Sequence, residues 1–357
     1  MILFLGDIML GRGVAETIEI KGFDYPFRYI LDLLHKQSYV VANLEHPLTN
    51  AKTPNKKKKN PHLIFKAPPE YVQVLKMAAI NIVTLANNHI TDYGLEGIED
   101  TLNVLKNNEI YFTGAGRNLE EATKPVSMSI NGMNIGLFAF NDFIRYVRIA
   151  DNKSYGVAPF DELLIDYLMK TYESSFDFIL FSVHCGIDYF NYPIPSVLEK
   201  LKLLLKKYEK VNGIICHHPH FSQPVLWFNN KFIVCSLGNF LFDEPFPQSK
   251  SSYVAKLQLF SNGYKELKQY FFSVIDDWSL ILNDDEKEKI RLESLKDEIF
   301  KRSENFMEVD NKWIMYNIYY LFESFDLSIL NYLFRYYSIY DITKAVFKKL
   351  KEKIFLK

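Results

Sequence analysis

From residue 2 to residue 240, short apolar runs alternate with longer amphipathic stretches, and that rhythm admits few architectures. The runs at 2–5, 39–42, 80–86, 135–140, 176–183, 213–216 and 232–236 have the length and the β-branched or aromatic content of buried strands. Between several of them, residues 68–79, 95–107, 160–172 and 195–208 carry apolar side chains at helical spacing. The alternation predicts an α/β layered domain, its sheets covered by helices. Asn131-Gly132, Asn229-Asn230 and Asn262-Gly263 stand between apolar runs as hairpin turns, so antiparallel strands are expected as well and the sheets should be mixed. From about Asp276 the texture changes to charged helical segments without strand signals, through Lys357. The expected division is a domain over 1–275 and a helical appendage over 276–357. The appendage is aromatic-rich over 313–340, which suits packing on the domain or on a second subunit of a homo-oligomer.

Charge excludes some partners. With 42 basic and 43 acidic side chains, no global field favours nucleic acid or an anionic bilayer, so any anionic partner must be met locally. The three cysteines, Cys185, Cys216 and Cys235, are odd in number and lack C-x-x-C spacing, which argues against a disulfide framework and for a reducing compartment. The opening MILFLGD has no basic leader and meets Asp7 early, so it reads as a first buried strand and not as a signal peptide or membrane span. A cytoplasmic protein is expected.

Chemistry concentrates where strands should end. Gly6-Asp7, Asn43-Leu44-Glu45, Asn87-Asn88-His89 and Ser182-Val183-His184-Cys185-Gly186 each follow or close an apolar run, and so does Ile215-Cys216-His217-His218-Pro219-His220. The chain has only 8 histidines, and His89, His184, His217, His218 and His220 all fall at these places. Side chains just past the carboxyl ends of strands converge on one crevice in an α/β sheet. A mixed oxygen and nitrogen set there suits a divalent transition metal such as Mn, Fe, Zn or Co. In an extended segment His218 and His220, two apart, would face one side.

These strings resemble the CapA family of poly-gamma-glutamate capsule biosynthesis proteins, within the calcineurin-like metallophosphoesterase superfamily. The matching stretches are GDIMLGRG (6–13), VANLEHPLT (41–49), INIVTLANNHITDYG (80–94), GAGRNLEEA (114–122), SVHCGIDY (182–189), HHPHFSQPV (217–225) and SLGNFLFD (236–243), in the family's order. The resemblance implies a four-layer αββα sandwich and two divalent ions clamping a bridging hydroxide. It implies Asp7 and His220 on the first metal, Glu45 bridging, and Asn88, His184 and His218 on the second. His89 would then face the substrate as an acid or charge stabiliser. Arg12 would grip the substrate's anionic group, with Asn239 and His217 as further candidates for substrate contact. Of these two, His217 suits a supporting place beside His218, and Asn239 suits a turn that shapes the cleft.

Two departures bear on this. Superfamily phosphoesterases have His two residues after the first Asp, and here Met9 stands there, as in the CapA branch, so the first metal keeps fewer strong ligands. Cys185 stands where that branch commonly shows Trp. Lys56-Lys57-Lys58-Lys59 reads as a solvated loop, with a positive rim for a polyanion as the alternative. The basic stretch 344–357 suits docking on the appendage or contact with a membrane surface. The expected activity is metal-dependent hydrolysis, most simply of a phosphoester. The alternatives are a non-hydrolytic component of poly-gamma-glutamate synthesis and an amide hydrolase acting on glutamyl polymers.

Overall fold

A computed structural model describes residues 1–56, 58, 60–142, 147–244, 246–260, 265–283, 285–324, 337–339 and 342–345. In chain order the strands are β1 (Ile2–Ile8), β2 (Tyr39–Leu44), β3 (Ile82–Thr84), β4 (Tyr111–Thr113), β5 (Ala115–Gly116), β6 (Val126–Ile130), β7 (Met133–Asn141) and β8 (Gly156–Val157). The second half adds β9 (Phe178–His184), β10 (Val211–His217), β11 (Gln223–Phe228), β12 (Lys231–Ser236), β13 (Asn239–Leu241), β14 (Ser251–Leu259), β15 (Lys265–Val274) and β16 (Leu280–Leu282). The α-helices are α1 (Arg12–Lys21), α2 (Leu31–His35), α3 (Val72–Met77), α4 (Gly94–Asn107), α5 (Leu119–Thr123), α6 (Glu162–Tyr172), α7 (Pro195–Lys207), α8 (Glu286–Lys301) and α9 (Glu304–Ser324).

Two large sheets result, in the orders β16-β15-β14-β1-β2-β3-β4 and β11-β12-β10-β9-β7-β6, with β13 added beside β1 and a small β5-β8 pair apart. Both are mixed: β1 to β4 run parallel, as do β7, β9, β10 and β12, while β14, β15 and β16 in the one sheet and β6 and β11 in the other pair antiparallel.

Side-chain alternation sorts the residues of each strand into two cores. In β1, Ile2 and Phe4 face the other sheet and join Leu137, Leu180, Ile215, Val234 and Tyr253 in an inter-sheet core. Leu3 and Leu5 face outward onto Val14, Ile18, Leu75 and Ile98 of the first helical layer. On the far side, Phe138, Phe181 and Ile214 pack on Ile165, Leu168, Leu198 and Leu201 of the second. The layers are therefore α, β, β, α, the expected sandwich. Local signals explain the covering helices: Asp161 caps α6 by accepting from Leu164 N, and α7 begins at Pro195 and ends on Lys206 and Lys207.

Two of the expected hairpins close as type I′ turns, with positive φ at Asn131 (52°) and Gly132 (79°) and at Asn229 (47°) and Asn230 (63°). Asn262-Gly263 lies outside the described residues. The sheet runs past 275, because β16 completes its edge after a tight turn at Trp278. Sequence texture hid this strand, since three residues beside charged helices leave little periodic signal. The helices that follow are docked: Leu292 and Leu295 of α8 join the inter-sheet core, and Phe306, Val309 and Trp313 of α9 join the outer one. Residues 325–336 and 340 of the aromatic stretch, and 346–357 of the basic one, lie outside the described residues, as do Lys57 and Lys59. Among the described residues no helix is long and apolar enough to cross a membrane.

Candidate metal centre

The carboxyl ends of β1, β2, β3, β9 and β10 meet over the gap between the sheets, and each contributes a polar side chain there. Asp7 closes β1. Glu45 follows β2, with its N–H donating to Ile8 O at 2.8 Å. Asn88 and His89 follow β3, His184 ends β9, and His218 and His220 follow β10. Two ligand groups form: Asp7, Glu45 and His184, and Glu45, His218 and His220, their ligand atoms all within 4.8 Å of one another in each. All five residues are buried. Glu45 belongs to both groups, as a bridging carboxylate must. The two groups interpenetrate around Glu45: His220 Nδ1 also lies 3.7 Å from Asp7 Oδ2, and the His184 and His218 rings stand 4.8 Å apart. Asn88 joins His184, Oδ1 lying 2.7 Å from Nε2.

The loop that delivers His218 and His220 is not extended. Both residues have positive φ, 101° and 58°, so Pro219 sits between two left-handed residues and the rings converge through a coiled backbone, not through strand alternation. Such conformations cost on the order of 1–3 kcal/mol each and persist where surroundings enforce them.

Several residues hold the ligands in place. His217 Nδ1 lies 2.9 Å from Asp7 Oδ1, and Asn43 Nδ2 donates to the same oxygen at 2.9 Å and to Glu45 Oε2 at 3.2 Å. Asn239 Oδ1 meets His220 Nδ1 at 2.8 Å, leaving Nε2 toward Glu45. His217 and Asn239 are thus buried against Asp7 and His220, with Asn239 Nδ2 left without a hydrogen-bond partner among the described residues. Asn87 shapes the neighbouring loop: its Oδ1 accepts from His89 N and Ile90 N, and its Nδ2 donates to Asn43 Oδ1. Met9 is buried against Phe65 and Phe242, where its thioether accepts from Gly11 N at 3.0 Å.

His89 is buried beside the ligands, its ring stacked on Phe65 at 4.0 Å between centroids. Its Nδ1 lies 2.9 Å from Asp92 Oδ2 and 2.9 Å from Lys58 Nζ. Arg12 is engaged by neighbouring residues. Its Nε donates to Asp243 Oδ1 at 2.8 Å, its Nη1 to His62 O at 3.2 Å, and its guanidinium lies 4.7 Å over Phe65. Elsewhere at the site, Asp188 Oδ1 is 3.2 Å from His218 Nε2, and Tyr189 stacks on His220.

Sequence reasoning missed Asn43, Asn87, Lys58, Asp92 and Asp188. Asn43, Asn87, Asp92 and Asp188 had a signal, since all four stand inside strings already singled out, Asp92 three residues after His89 and Asp188 four after His184. Lys58 had none, because a lysine within a basic run looks solvated.

Electrostatics suit cations. Burial, with Asp7 and Asp188 nearby, pushes the Glu45 carboxyl well above its ordinary range. Burial alone would raise Asp7 too, but the His217 hydrogen bond and the neighbouring His220 and His184 outweigh it and hold that group down. Burial, with other imidazoles around it, keeps His184 neutral far below the usual histidine range. Glu45 Oε1 is fully buried and has no hydrogen-bond partner among the described residues. It stands 3.7 Å from His184 Nε2 and 3.9 Å from His220 Nε2, too far for hydrogen bonds. Two donors about 2 Å from one cation would be separated by about this much. The residues present therefore fit divalent ions.

His46, next to Glu45, gives a pH test of burial. Burial lowers its pKa to about 4 from 6.5. A depressed value means stability complete above pH 6.5 and lost as pH falls toward 4, because the unfolded chain takes up the proton first. In chelator-treated protein, His46 should remove about 3 kcal/mol of stability across that window. Denaturant unfolding of wild type and His46→Leu at pH 7 and pH 4.5 measures it; parallel losses in both proteins would exclude His46 as the cause.

A model of the family described as "Bacterial capsule synthesis protein PGA_cap" matches residues 1–244. The chain belongs to that family. The match takes in every candidate ligand and ends near Asp243 and Glu244 at the rim. Relatives include "Capsule biosynthesis protein CapA" of Bacillus anthracis, 32% identical over 263 residues, covering 72% of this chain and 64% of that protein. "PGA biosynthesis protein CapA" of Bacillus subtilis (strain 168) is 31% identical over 261 residues, covering 73% and 68%. The chain thus spans about two thirds of the length of these family members. Distant fold likenesses include calcineurin-like phosphoesterase YfkN from Bacillus subtilis, with TM-score 0.44 at 14% identity over 84% of this chain and 97% of that one. A hypothetical protein from Thermus thermophilus gives TM-score 0.47 at 16% identity over 76% and 98%.

Proposed function

We propose that this PGA_cap family chain is a metal-dependent hydrolase that cleaves a phosphoester, with two divalent cations held by Asp7, Glu45, Asn88, His184, His218 and His220. The observation that supports it most directly is the buried, unpartnered Glu45 Oε1, shared by two three-ligand groups. A carboxylate in that position is costly to bury without compensating positive charge. Divalent ions bound there supply Lewis acidity for a substrate oxygen and bring water closer to ionising at neutral pH.

The protein's own groups divide the remaining work. His217 and Asn43 fix the Asp7 carboxylate, and Asn239 fixes the His220 ring with Nε2 toward Glu45. Asp92 holds Nδ1 of His89, so that the other ring nitrogen would handle the proton of the departing group. Arg12 would meet a substrate anion only by exchanging Asp243 for it, a swap its planar fork allows. The relatives' names, which speak of capsule and PGA biosynthesis, support an anionic polymer or its precursor as the setting.

The test is elemental analysis of the purified chain followed by a hydrolase panel with added Mn, Zn, Fe or Co. p-Nitrophenyl phosphates are run against gamma-glutamyl peptides. Turnover of the phosphates that stops on chelation is expected. Cleavage confined to the peptides would replace the phosphoesterase reading with an amidase one, and metal binding without any turnover would favour the non-hydrolytic role.

A further inference from the structure

The loop 218–222 joins β10 to β11, and both histidines it carries, His218 and His220, hold left-handed backbone. Conformations of that kind persist only where the surroundings enforce them. The neighbouring loop 188–191 meets it at several points: Tyr189 N donates to Pro219 O at 2.8 Å, and Asp188 Oδ1 lies 3.2 Å from His218 Nε2. Gln223 Nε2 adds a bond to Phe190 O at 2.9 Å. Two irregular loops bonded to each other can still shift as a pair, so a contact from a rigid element has the larger effect on where the imidazoles stand.

That contact comes from α8, beyond the stretch 1–244 that the family model matches. Arg291 Nε donates to Glu288 Oε2 at 2.7 Å and Nη2 to Glu288 Oε1 at 2.5 Å, a two-point pairing that fixes the plane of the guanidinium. Its far edge then reaches both loops. Nη1 donates to Asn191 Oδ1 at 3.0 Å, and Nη2 also meets Ser222 O at 2.7 Å and Ser222 Oγ at 3.0 Å. Ser222 Oγ donates in turn to Glu288 Oε1, and both of these residues are buried. The helix itself is fixed: Asp285 accepts from Glu288 N at 3.0 Å and from Ser251 Oγ at 2.7 Å, while Leu292 and Leu295 lie in the inter-sheet core. Docking α8 does not require a buried ion pair, since apolar side chains of similar volume stabilise a contact as well or better. The pair's distinct property is its fork, which meets two separate segments at once.

We propose that Arg291 is a positioning residue for the metal centre: oriented by Glu288, it ties the 218–222 and 188–191 loops to α8 and keeps His218 and His220 in their ligand-ready backbone conformation before an ion arrives. Its consequence for metal affinity rests on the metal-centre reading above; the clamp itself does not. Two measurements on the full chain test it.

The first is cobalt(II) titration of chelator-treated protein, followed by visible absorption, in wild type, Arg291→Lys and Arg291→Met. Leu168→Ala, in the outer core on α6, controls for general destabilisation. A lysine keeps a positive charge beside Glu288, but its single ammonium lacks the fork that spans Asn191 and Ser222 together. Apparent affinity falls with the fraction of chains whose loops are in place. Both Arg291 variants should therefore bind cobalt at least about 10-fold more weakly, and Leu168→Ala should keep wild-type affinity in its folded fraction. Wild-type affinity in either Arg291 variant, or an equal loss in Leu168→Ala, would overturn the proposal. The second is residue-resolved amide hydrogen exchange on metal-free wild type, which decides even if the variants do not fold. Tyr189 N, bonded to Pro219 O, and Asn239 N, bonded to His220 O at 3.3 Å, should be protected as strongly as the interior amides of α8. Exchange at both sites about 100-fold faster than in α8 would show that the loops open while the helix stays docked, and the clamp would be refuted. A wild type that takes up no cobalt would count against the metal-centre reading alone, with the exchange result still deciding the role of Arg291.

Discussion

His184→Ala is expected to strip metal and turnover together. The imidazole ends β9, is 2% exposed, and brings Nε2 to 2.7 Å from Asn88 Oδ1 and 3.7 Å from Glu45 Oε1. It is the nitrogen donor of the candidate group that also contains Asp7 and Glu45. Removing it leaves one group with carboxylates and the Asn88 amide, a weaker set for a borderline-soft ion. Loss of a polarising cation from a two-ion site removes several kcal/mol of transition-state stabilisation, which is about 10³-fold or more in rate. Because His184 is held neutral, its removal uncovers no buried charge, and the metal-free variant should fold. Elemental analysis and the metal-supplemented panel are the readouts. Undiminished turnover in a variant shown to be metal-free would end the case for this centre.

The second large effect concerns one atom of space. A Cβ on Gly6 would lie 2.0 Å from Gly238 O and 3.2 Å from Phe240 N, both backbone atoms of the neighbouring segment. That same carbonyl accepts from Asp7 N at 3.0 Å, and β1 pairs with β13 in the register Asp7 to Asn239. No side-chain rotation relieves such a contact, so Gly6→Ala must push β13 away from β1. Asn239 would carry His220 with it, through the bond between them. A destabilisation of about 3 kcal/mol or more is expected, with loss of metal affinity in whatever still folds. Denaturant midpoints of the two proteins are the measurement; an unchanged midpoint would show that the strands do not pack this closely.

Much of this architecture was legible because it rests on local pattern. Ile2 to Leu5 alternate between two apolar faces, and that is visible in any strand buried on both sides. Asp7, Glu45, Asn88, His184, His218 and His220 stand next to such runs, so their arrival at one end of the sheets follows from parallel strands pointing the same way. β16 was not legible, being three residues that gain strand character only by pairing with β15. Arg12 was expected to face an anion, but Asp243, 231 residues away, occupies its fork. Lys58 was read with its neighbours as solvated until Asp92 and two carbonyls gave its charge somewhere to go.

By itself, then, the chain determined its layered α/β class, its family and the set of side chains that gather at the strand ends, because apolar periodicity and residue type are properties of neighbours in sequence. The tertiary structure alone decided which imidazole stands beside which carboxylate, that His217 and Asn239 bond Asp7 and His220, and that Lys58 is buried. Those outcomes depend on contacts between segments tens to hundreds of residues apart, where desolvation and hydrogen-bond geometry act over a few ångströms and leave no periodic trace in the sequence.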